Sequence, residues 1–244
     1  MKKYGLIGSS LTHSFSKTFF TDYFSNNKID ASYDLIELES IDQFPKVLNQ
    51  GFSGFNVTVP YKEKVIPFLD QLSEEAIKIG AVNVIQFIDG KTIGHNSDAF
   101  GFKQSIKPFL TNLHERALIL GTGGAAKAIN YVLKEIGITT FHCSRTPDQQ
   151  KGIFSYDDIN ENMVKSCKLI VNCTPVGTFP NINDHIHFPF QFLTEEHLVI
   201  DLIYNPQISA FLMKSKQHGA TIVNGESMLK EQALKSWEIW NGNL

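Results

Sequence analysis

The run Gly54–Lys62 places an amide, a hydroxyl and an amine close together along the chain. Its apolar residues alternate with Asn56, Thr58 and Lys62, which is the period-2 pattern of a strand with one polar side. Proline cannot donate a hydrogen bond to a neighbouring strand, so we expect the strand to end at Pro60, at the rim of a sheet. Thr58 and Lys62 then share one face, although a strand with a merely solvated side gives the same pattern.

Asp98 is the second ionisable residue that we expect to do chemistry. It follows a predicted strand, in the segment Gly94–Gly101. A lysine beside a carboxylate in a partly dry site can take up and return the proton of a hydroxyl group, as hydride transfer from an alcohol carbon requires. The sequence therefore indicates Lys62 and Asp98 as a catalytic pair. On local grounds, Asp98 could instead cap the helix that follows it.

Three further polar residues stand where a small polar ligand could be held. Ser14 and Ser16 flank Phe15 in the loop after the first predicted strand. Their hydroxyls suit a carboxylate, although they could equally cap the next helix. Asn83 interrupts an apolar strand, and because a buried amide needs partners, a bound hydroxyl group is one candidate.

A glycine-rich turn joins a buried-type strand, 116–121, to a helix that we expect over 125–136. Glycines permit a tight turn there and let backbone N–H groups approach a pyrophosphate at the positive end of the helix. A tight turn without a ligand is the alternative. The residues of this candidate phosphate loop are Gly121, Thr122, Gly123, Gly124 and Ala125.

The next predicted strand, 139–143, ends in Ser144, Arg145 and Thr146. A site for NAD would place a carboxylate about 20 residues after the glycines, to bind the ribose diol. A guanidinium flanked by two hydroxyls suits a 2′-phosphate instead. The sequence therefore favours NADP over NAD, unless Arg145 is only a surface residue.

Strands alternate with helices along the whole chain, which predicts an α/β fold with mostly parallel sheets. One antiparallel excursion is expected at Asp89–Gly90, a typical hairpin turn. A new unit begins near residue 104, and the final 20 residues form an amphipathic helix. Predicted strands cover 4–8, 33–38, 81–87, 169–173 and 198–201, and predicted helices cover 17–26, 74–79 and a short segment from residue 41 to near 51.

Composition excludes several functional classes. The net charge is -3, and no basic stripe exists, which disfavours a nucleic-acid partner. No window of about 18 apolar residues exists, so we expect no membrane span. The odd cysteine count and the absence of metal-ligand spacing predict reduced thiols, a cytoplasmic location and no metal site.

Seven motifs, in order along nearly the whole chain, resemble the shikimate dehydrogenase family. They are Asn56–Lys62, Gly80–Asn83, Gly94–Gly101, Gly121–Ala125, Asn172–Gly177, Asp201–Pro206 and Gly225–Gln232. The resemblance implies NADP-dependent, reversible reduction of 3-dehydroshikimate to shikimate, on the route through chorismate to aromatic amino acids. It also implies an N-terminal α/β substrate-binding domain, 1–103 with the C-terminal helix 228–244, and a Rossmann-like NADP-binding domain, 104–227. The active site would lie in the cleft between them, in a monomer or a homodimer.

The resemblance also assigns roles to residues by motif position. Lys62 would be the acid/base and Asp98 its partner. Ser14, Ser16 and Tyr204 would hold the substrate carboxylate, and Thr58, Asn83 and Gln232 its ring hydroxyls. Leu202 and Gly225 would lie near the nicotinamide, the glycine loop would bind the pyrophosphate, and Ser144, Arg145 and Thr146 the adenosine phosphate.

Other functions remain open at this point. A paralogue acting on quinate, or with NAD, differs mainly at Ser14, Ser16 and Arg145. A non-catalytic NADP sensor on the same fold would lack Lys62 or Asp98, both of which are present. An enzyme similar to methylenetetrahydrofolate dehydrogenase shares the layout, but the Asn56–Lys62 motif and the helix with Gln232 argue against it. Departures from the usual motifs, such as Phe15, Ser97, Thr122 and Ser144, remove no group that the chemistry needs.

Overall fold

A computed structural model describes residues 1–11 and 14–242 of the chain. The chain divides into two compact units, one of residues 1–102 with 229–244 and one of residues 103–228. Each unit is built around its own six-stranded sheet. The predicted α/β fold class is therefore confirmed.

The first unit contains strands β1 to β6 and helices α1 to α3. It also contains parts of two further helices that continue into the second unit. The strands are Lys2–Gly8, Ala31–Glu37, Gly54–Val57, Gln71–Leu72, Val84–Ile88 and Lys91–His95, and the helices are Phe15–Asn26, Phe44–Leu48 and Glu74–Ile79. The sheet order is β2-β1-β3-β5-β6-β4. β5 runs antiparallel to both of its neighbours, which is the predicted hairpin excursion.

The polar face predicted for the third strand is wrong. β3 ends at Val57, and all four of its residues are buried. Thr58 to Tyr61 form a turn in which the Tyr61 N–H donates to the Thr58 carbonyl at 2.9 Å. The amide of Asn56 lies in the protein interior, where it has hydrogen-bonding partners of its own, so period-2 alternation did not mark a solvated side.

The second unit has an all-parallel sheet with the order β12-β11-β10-β7-β8-β9. In chain order, β7 to β12 are Arg116–Leu120, Thr139–Cys143, Ile153–Phe154, Leu169–Asn172, Leu198–Asp201 and Thr221–Val223. Helices α5 to α7 are Gly124–Glu135, Glu161–Ser166 and Ala210–Gln217. The carboxyl ends of parallel strands meet at one edge of the sheet, which brings the loops after β7, β8, β10 and β11 together.

Helices α4, Asp98–Ile106, and α8, Glu226–Trp240, include the points where the two units join along the chain. Within the first unit, Trp240 of α8 stacks on Tyr4 with ring centroids 4.5 Å apart. Its indole N–H donates to the Ile85 carbonyl at 3.1 Å. A Cβ at Gly54 would lie 2.5 Å from the same ring, so only glycine at this position lets α8 lie against β3.

Candidate active site

Lys62 and Asp98, far apart in sequence, form an ion pair. The Nζ of Lys62 donates to Oδ2 of Asp98 at 2.6 Å, and the two side chains are 14% and 7% exposed. Asp98 begins α4, but the side chain that caps this helix is Asn96, whose Oδ1 accepts the Ala99 N–H at 3.2 Å. The carboxylate of Asp98 is therefore turned to the lysine, and the capping alternative is excluded.

Asn83 fixes the second oxygen of the Asp98 carboxylate. Its Nδ2 donates to Oδ1 of Asp98 at 3.0 Å, while its own Oδ1 accepts the Ser97 backbone N–H at 2.7 Å. A backbone N–H can only donate, so the amide has one possible orientation. The carboxylate is thus held by an amine on one oxygen and an amide on the other.

Helix α8 brings Gln232 to the same place. Its Oε1 lies 3.5 Å from Nδ2 of Asn83 and 3.4 Å from the hydroxyl of Ser97, and its Nε2 donates to the Leu229 carbonyl at 3.0 Å. The long contacts leave Oε1 only weakly engaged by the protein. Gln232, Asn83, Asp98 and Lys62 therefore form one polar cluster in the first unit.

Ser14, Ser16 and Thr58 follow the carboxyl ends of β1 and β3, which are parallel neighbours. Ser14 caps α1, since its hydroxyl oxygen accepts the Lys17 N–H at 3.3 Å, which leaves the hydroxyl proton for another acceptor. The Ser16 hydroxyl lies beside the phenol of Tyr33. The Thr58 N–H donates to the Ile7 carbonyl at 2.8 Å, so its side chain is held at the edge of the sheet.

The glycine loop of the second unit has the geometry of an anion cradle. Gly121 has φ +110°, a conformation that disfavours side chains. Gly123 precedes α5 with an ordinary φ of -76°, and a Cβ there would meet nothing within 4 Å. The space beside Gly123 is therefore open at the N-terminal end of a 12-residue helix, where backbone N–H groups and the helix dipole attract anions.

An open groove of about 650 Å³ runs from this loop to the end of β8. Thr122 and Thr146 line it, together with the turn from Pro147 to Lys151. The hydroxyls of Ser144 and Thr146 lie 3.3 Å apart, and the exposed Arg145 forms no salt bridge within residues 1–11 and 14–242. Thr122 of the glycine loop and Thr146 after β8 thus line one groove, and the exposed Arg145 is the residue next to Thr146.

Leu202 and Gly225 lie against each other in the second unit. The Gly225 N–H donates to the Ile203 carbonyl at 3.1 Å, and a Cβ at Gly225 would lie 2.0 Å from the Leu202 oxygen. Glycine is therefore the only residue that this contact allows. Tyr204, two residues after Leu202, is half-buried on the same loop.

Two buried polar residues hold the loops at this edge of the sheet. Nδ2 of Asn172 donates to Oδ1 of Asp201 at 3.0 Å, and the amide oxygen of Asn172 accepts the Thr174 N–H at 3.0 Å. Ser209 donates to Oδ2 of Asp201 at 2.5 Å. Burial raises the pKa of Asp201 to about 6, even though these hydrogen bonds favour the ionised carboxylate.

Comparison with known proteins decides the family. Residues 6–85 match the family described as shikimate dehydrogenase substrate binding domain. A Clostridium botulinum protein named shikimate dehydrogenase (NADP(+)) is 36% identical over 246 residues, which cover 97% of this chain and 95% of that protein. The chain belongs to the shikimate dehydrogenase family.

Solved structures of shikimate dehydrogenases share the fold over nearly all of the chain. One, in complex with NADP+, matches with a TM-score of 0.88 and 29% identity and covers 99% of this chain and 90% of that chain. The Thermus thermophilus enzyme, in complex with NADP(H) and shikimate, matches with a TM-score of 0.87 and 29% identity over 99% of this chain and 94% of that chain. The family and the oxidoreductase class predicted from the motifs are confirmed.

Sequence reasoning missed several residues that support the site of this shikimate dehydrogenase family member. Tyr33, Ser97 and Ser236 carry hydroxyls that are bonded to predicted site residues or to their neighbours. Only Ser97 stood inside a recognised motif. Ser236 lies four residues after Gln232, so helical spacing placed the two on one face, and that signal was available.

No group of three or more histidine, cysteine, aspartate or glutamate residues that could hold a metal ion occurs within 1–11 and 14–242. Over the same residues, no helix is long and apolar enough to cross a membrane.

Proposed function

We propose that this chain catalyses the NADP-dependent, reversible reduction of 3-dehydroshikimate to shikimate. The observation that carries the proposal is the contact between Lys62 and Asp98, because a partly buried amine held by a carboxylate is what proton exchange with a substrate hydroxyl requires. Membership of the shikimate dehydrogenase family supports shikimate and 3-dehydroshikimate as the substrates.

In the oxidising direction, Lys62 would take the proton of the reacting hydroxyl, and in the reducing direction it would return a proton to the oxygen. Asp98 holds the Nζ in place, and Asn83 holds Asp98. NADP+, when bound, supplies the acceptor for the hydride. The protein thus orients the reacting hydroxyl and accepts or returns its proton.

The remaining polar residues of the first unit would hold the substrate. Ser14 and Ser16 present hydroxyl donors for the carboxylate, and we assign Tyr204 of the second unit to the same group. Thr58, Asn83 and Gln232 would bind ring hydroxyls. The weakly engaged Oε1 of Gln232 suits this role, since it can accept a hydroxyl proton without breaking a strong bond.

The second unit fits NADP. The open space beside Gly123 at the start of α5 suits a pyrophosphate, because a side chain there would occupy the approach. Arg145, with the hydroxyls of Ser144 and Thr146, suits the 2′-phosphate through charge-assisted hydrogen bonds. We assign the nicotinamide to the neighbourhood of Leu202 and Gly225, and residues 104–227 to the NADP-binding domain.

We also propose that the protein works in the cytoplasm. Burial raises the pKa of Cys143 to about 12 and that of Cys167 to about 11. Both thiols are buried and free, which supports a location where cysteines stay reduced.

A four-way assay tests the proposal. The purified protein is mixed with shikimate or quinate and with NADP+ or NAD+, and the absorbance of the reduced nicotinamide is followed. We expect rapid turnover of shikimate with NADP+ and much slower turnover of the other three pairs. Faster turnover of quinate would move the chain to the quinate branch of the family, and no turnover of any pair would contradict the enzyme assignment. A Lys62→Ala variant of equal thermal stability serves as the inactive control.

A further inference from the structure

A continuous line of hydrogen-bonded side chains runs through the interior of the first unit. It begins at Tyr33, which lies beside Ser16, and ends at Asp98, which we assign to the reacting hydroxyl. The residues that it joins to Asp98 are Tyr33, Asn56, Ser236, Ser97 and Asn83. All five are at least nine-tenths buried, and Ser97 and Ser236 are fully buried.

The first half of the line joins Tyr33 to Ser236. The phenol of Tyr33 donates to Oδ1 of Asn56 at 2.8 Å. Nδ2 of Asn56 donates to the Asn83 carbonyl at 3.1 Å and to the Ser236 hydroxyl at 2.9 Å. Because a backbone carbonyl can only accept, Nδ2 must face it, and Oδ1 faces the phenol of Tyr33. The orientation of Asn56 is therefore determined.

Ser236 is the junction between the two halves. Its oxygen accepts from Asn56, and its own proton goes to the Gln232 carbonyl, one turn earlier in α8, at 2.8 Å. The hydroxyls of Ser236 and Ser97 lie 3.1 Å apart. With the Ser236 proton already used, Ser97 must be the donor in this contact.

Ser97 has one proton and two possible acceptors. One is the Ser236 oxygen at 3.1 Å, and the other is Oε1 of Gln232 at 3.4 Å. The shorter contact is the better hydrogen bond, so the proton goes to Ser236 and Oε1 of Gln232 stays available. Without the Ser236 hydroxyl, Oε1 of Gln232 would be the acceptor left for Ser97 among residues 1–11 and 14–242.

We propose that Ser236 is a positioning residue for the reaction: its hydroxyl takes the Ser97 proton and thereby keeps Oε1 of Gln232 free for a hydroxyl of the substrate. The inference rests on the proposed function, because Gln232 is assigned there to the ring hydroxyls. In this proposal Ser236 touches neither substrate nor cofactor. It acts by determining which acceptor receives the hydroxyl proton of Ser97.

The test compares Ser236→Ala with Ser215→Ala. Ser215 is a matched control, since it is also fully buried in a helix and also donates to the carbonyl four residues earlier, at 2.8 Å, but it lies in the second unit. We expect Ser236→Ala to raise the KM for shikimate about tenfold, which corresponds to one competing hydrogen bond, and to leave the KM for NADP+ unchanged. Ser215→Ala should change neither constant. An unchanged KM for shikimate in Ser236→Ala would overturn the proposal.

A double variant, Ser236→Ala in Gln232→Ala protein, distinguishes a positioning role of Ser236 from a purely structural one. In Gln232→Ala protein there is no Oε1 to protect, so adding Ser236→Ala should raise the KM for shikimate no further. A second tenfold rise would show that Ser236 acts by another route and would contradict the proposal. If Ser236→Ala alone does not fold, as judged by its thermal unfolding, Ser236→Cys replaces it, because the cysteine keeps a weak acceptor. Ser236→Cys should give a smaller rise in the KM for shikimate, and an unchanged KM would contradict the proposal.

These outcomes are distinct from failure of the proposed function. If the unmodified protein does not turn over shikimate with NADP+, the function assignment fails before any variant is measured. If it does and the Ser236→Ala constants match those of the unmodified protein, only the present inference fails.

Discussion

The amine of Lys62 and the amide of Asn83 contact different oxygens of Asp98, at 2.6 and 3.0 Å. The carboxylate can therefore rotate only by breaking one of the two contacts. Three elements supply this group: the turn after β3, the segment before β5, and the start of α4. The arrangement fixes one amine beside one carboxylate with little freedom, which is the pre-organisation that proton transfer needs.

Lys62→Ala should lower the turnover of shikimate by about two to four orders of magnitude, because an acid/base group is lost. The affinity for NADP+ should stay close to that of the unmodified protein. Steady-state kinetics and a cofactor titration measure the two quantities. Lys64→Ala removes an exposed lysine from the same turn and should be nearly silent. A rate near normal in Lys62→Ala would remove this residue from the mechanism.

Arg145→Ala should weaken NADP+ far more than NAD+, since only NADP+ carries the 2′-phosphate that the guanidinium would bind. Loss of a charge-assisted hydrogen bond of about 2 kcal/mol corresponds to roughly a thirtyfold rise in the KM for NADP+. Kinetics with both cofactors provide the measurement. The other arginine, Arg116, is exposed at the start of β7, and its alanine variant is the control. Equal losses for both cofactors would refute the phosphate assignment.

Gly123→Ala should fold normally but bind NADP+ at least about tenfold more weakly, because the new Cβ meets no protein atom and projects where we place the pyrophosphate. Gly225→Ala should behave differently. Its Cβ would lie 2.0 Å from the Leu202 oxygen, so the variant should lose stability by about 2 kcal/mol or more. Thermal unfolding and cofactor titration of both variants check the contrast. Unchanged NADP+ affinity in Gly123→Ala would argue against a phosphate at this loop.

His197 should make the protein less stable in mild acid. Burial lowers its pKa from 6.5, although its hydrogen bond to the Val164 carbonyl acts in the opposite direction. A folded-state pKa below the unfolded value gives stability that is present above about pH 6.5 and is lost as the pH falls through the folded pKa. His197→Asn should therefore reduce the difference in unfolding free energy between about pH 5 and about pH 7.5. His187→Asn, at a side chain that is 86% exposed, is the control, and an undiminished difference in His197→Asn would be the contrary result.

Asp201 should make the protein less stable as the pH rises, which is opposite to the pH dependence expected from His197. Its folded-state pKa of about 6 lies above the usual 3.8, so the protonated form is favoured in the folded protein. Its contribution to stability is present below about pH 4 and is lost as the pH rises towards 6, by about 3 kcal/mol. Asp201→Asn cannot ionise and should remove this loss. Urea unfolding at several pH values measures it, and an identical pH dependence in the variant would exclude Asp201 as its source.

Four strands of the second unit, β7, β8, β10 and β11, were predicted well because each has four or five residues and is followed directly by polar residues. β8, Thr139–Cys143, has the predicted bounds, and β7, β10 and β11 differ from the prediction by at most one residue. Strands β9 and β12 and helices α6 and α7 were not predicted. β9 and β12 have two and three residues, too few to show a period, and they form because a neighbouring strand offers a free edge.

The ion pair of Lys62 and Asp98 was predicted from the sequence, but the buried polar residues that surround it were not. Tyr33 and Ser236 reach the site from β2 and α8, and nothing in their local sequence distinguishes them from ordinary core and helix residues. Their role exists only once the sheet order places β2, β1 and β3 side by side. Long-range hydrogen bonds of this kind depend on topology, which local patterns do not encode.

One repeated signal went unused. Thr111 and His114, and again Thr194 and His197, have the same three-residue spacing shortly before a strand. In both cases the histidine Nδ1 accepts the threonine N–H at 2.9 Å. The repeat predicts a local turn with a neutral histidine, and a search for side chains that bond to nearby backbone would have found it.

Because α8 supplies Gln232, Ser236 and Trp240 to a sheet whose six strands all precede residue 96, the first unit is finished last during synthesis. A chain without residues 229–244 would keep every strand of both sheets, but its first unit would lack the helix that covers Tyr4 and Gly54. The aromatic surface uncovered in this way would favour aggregation.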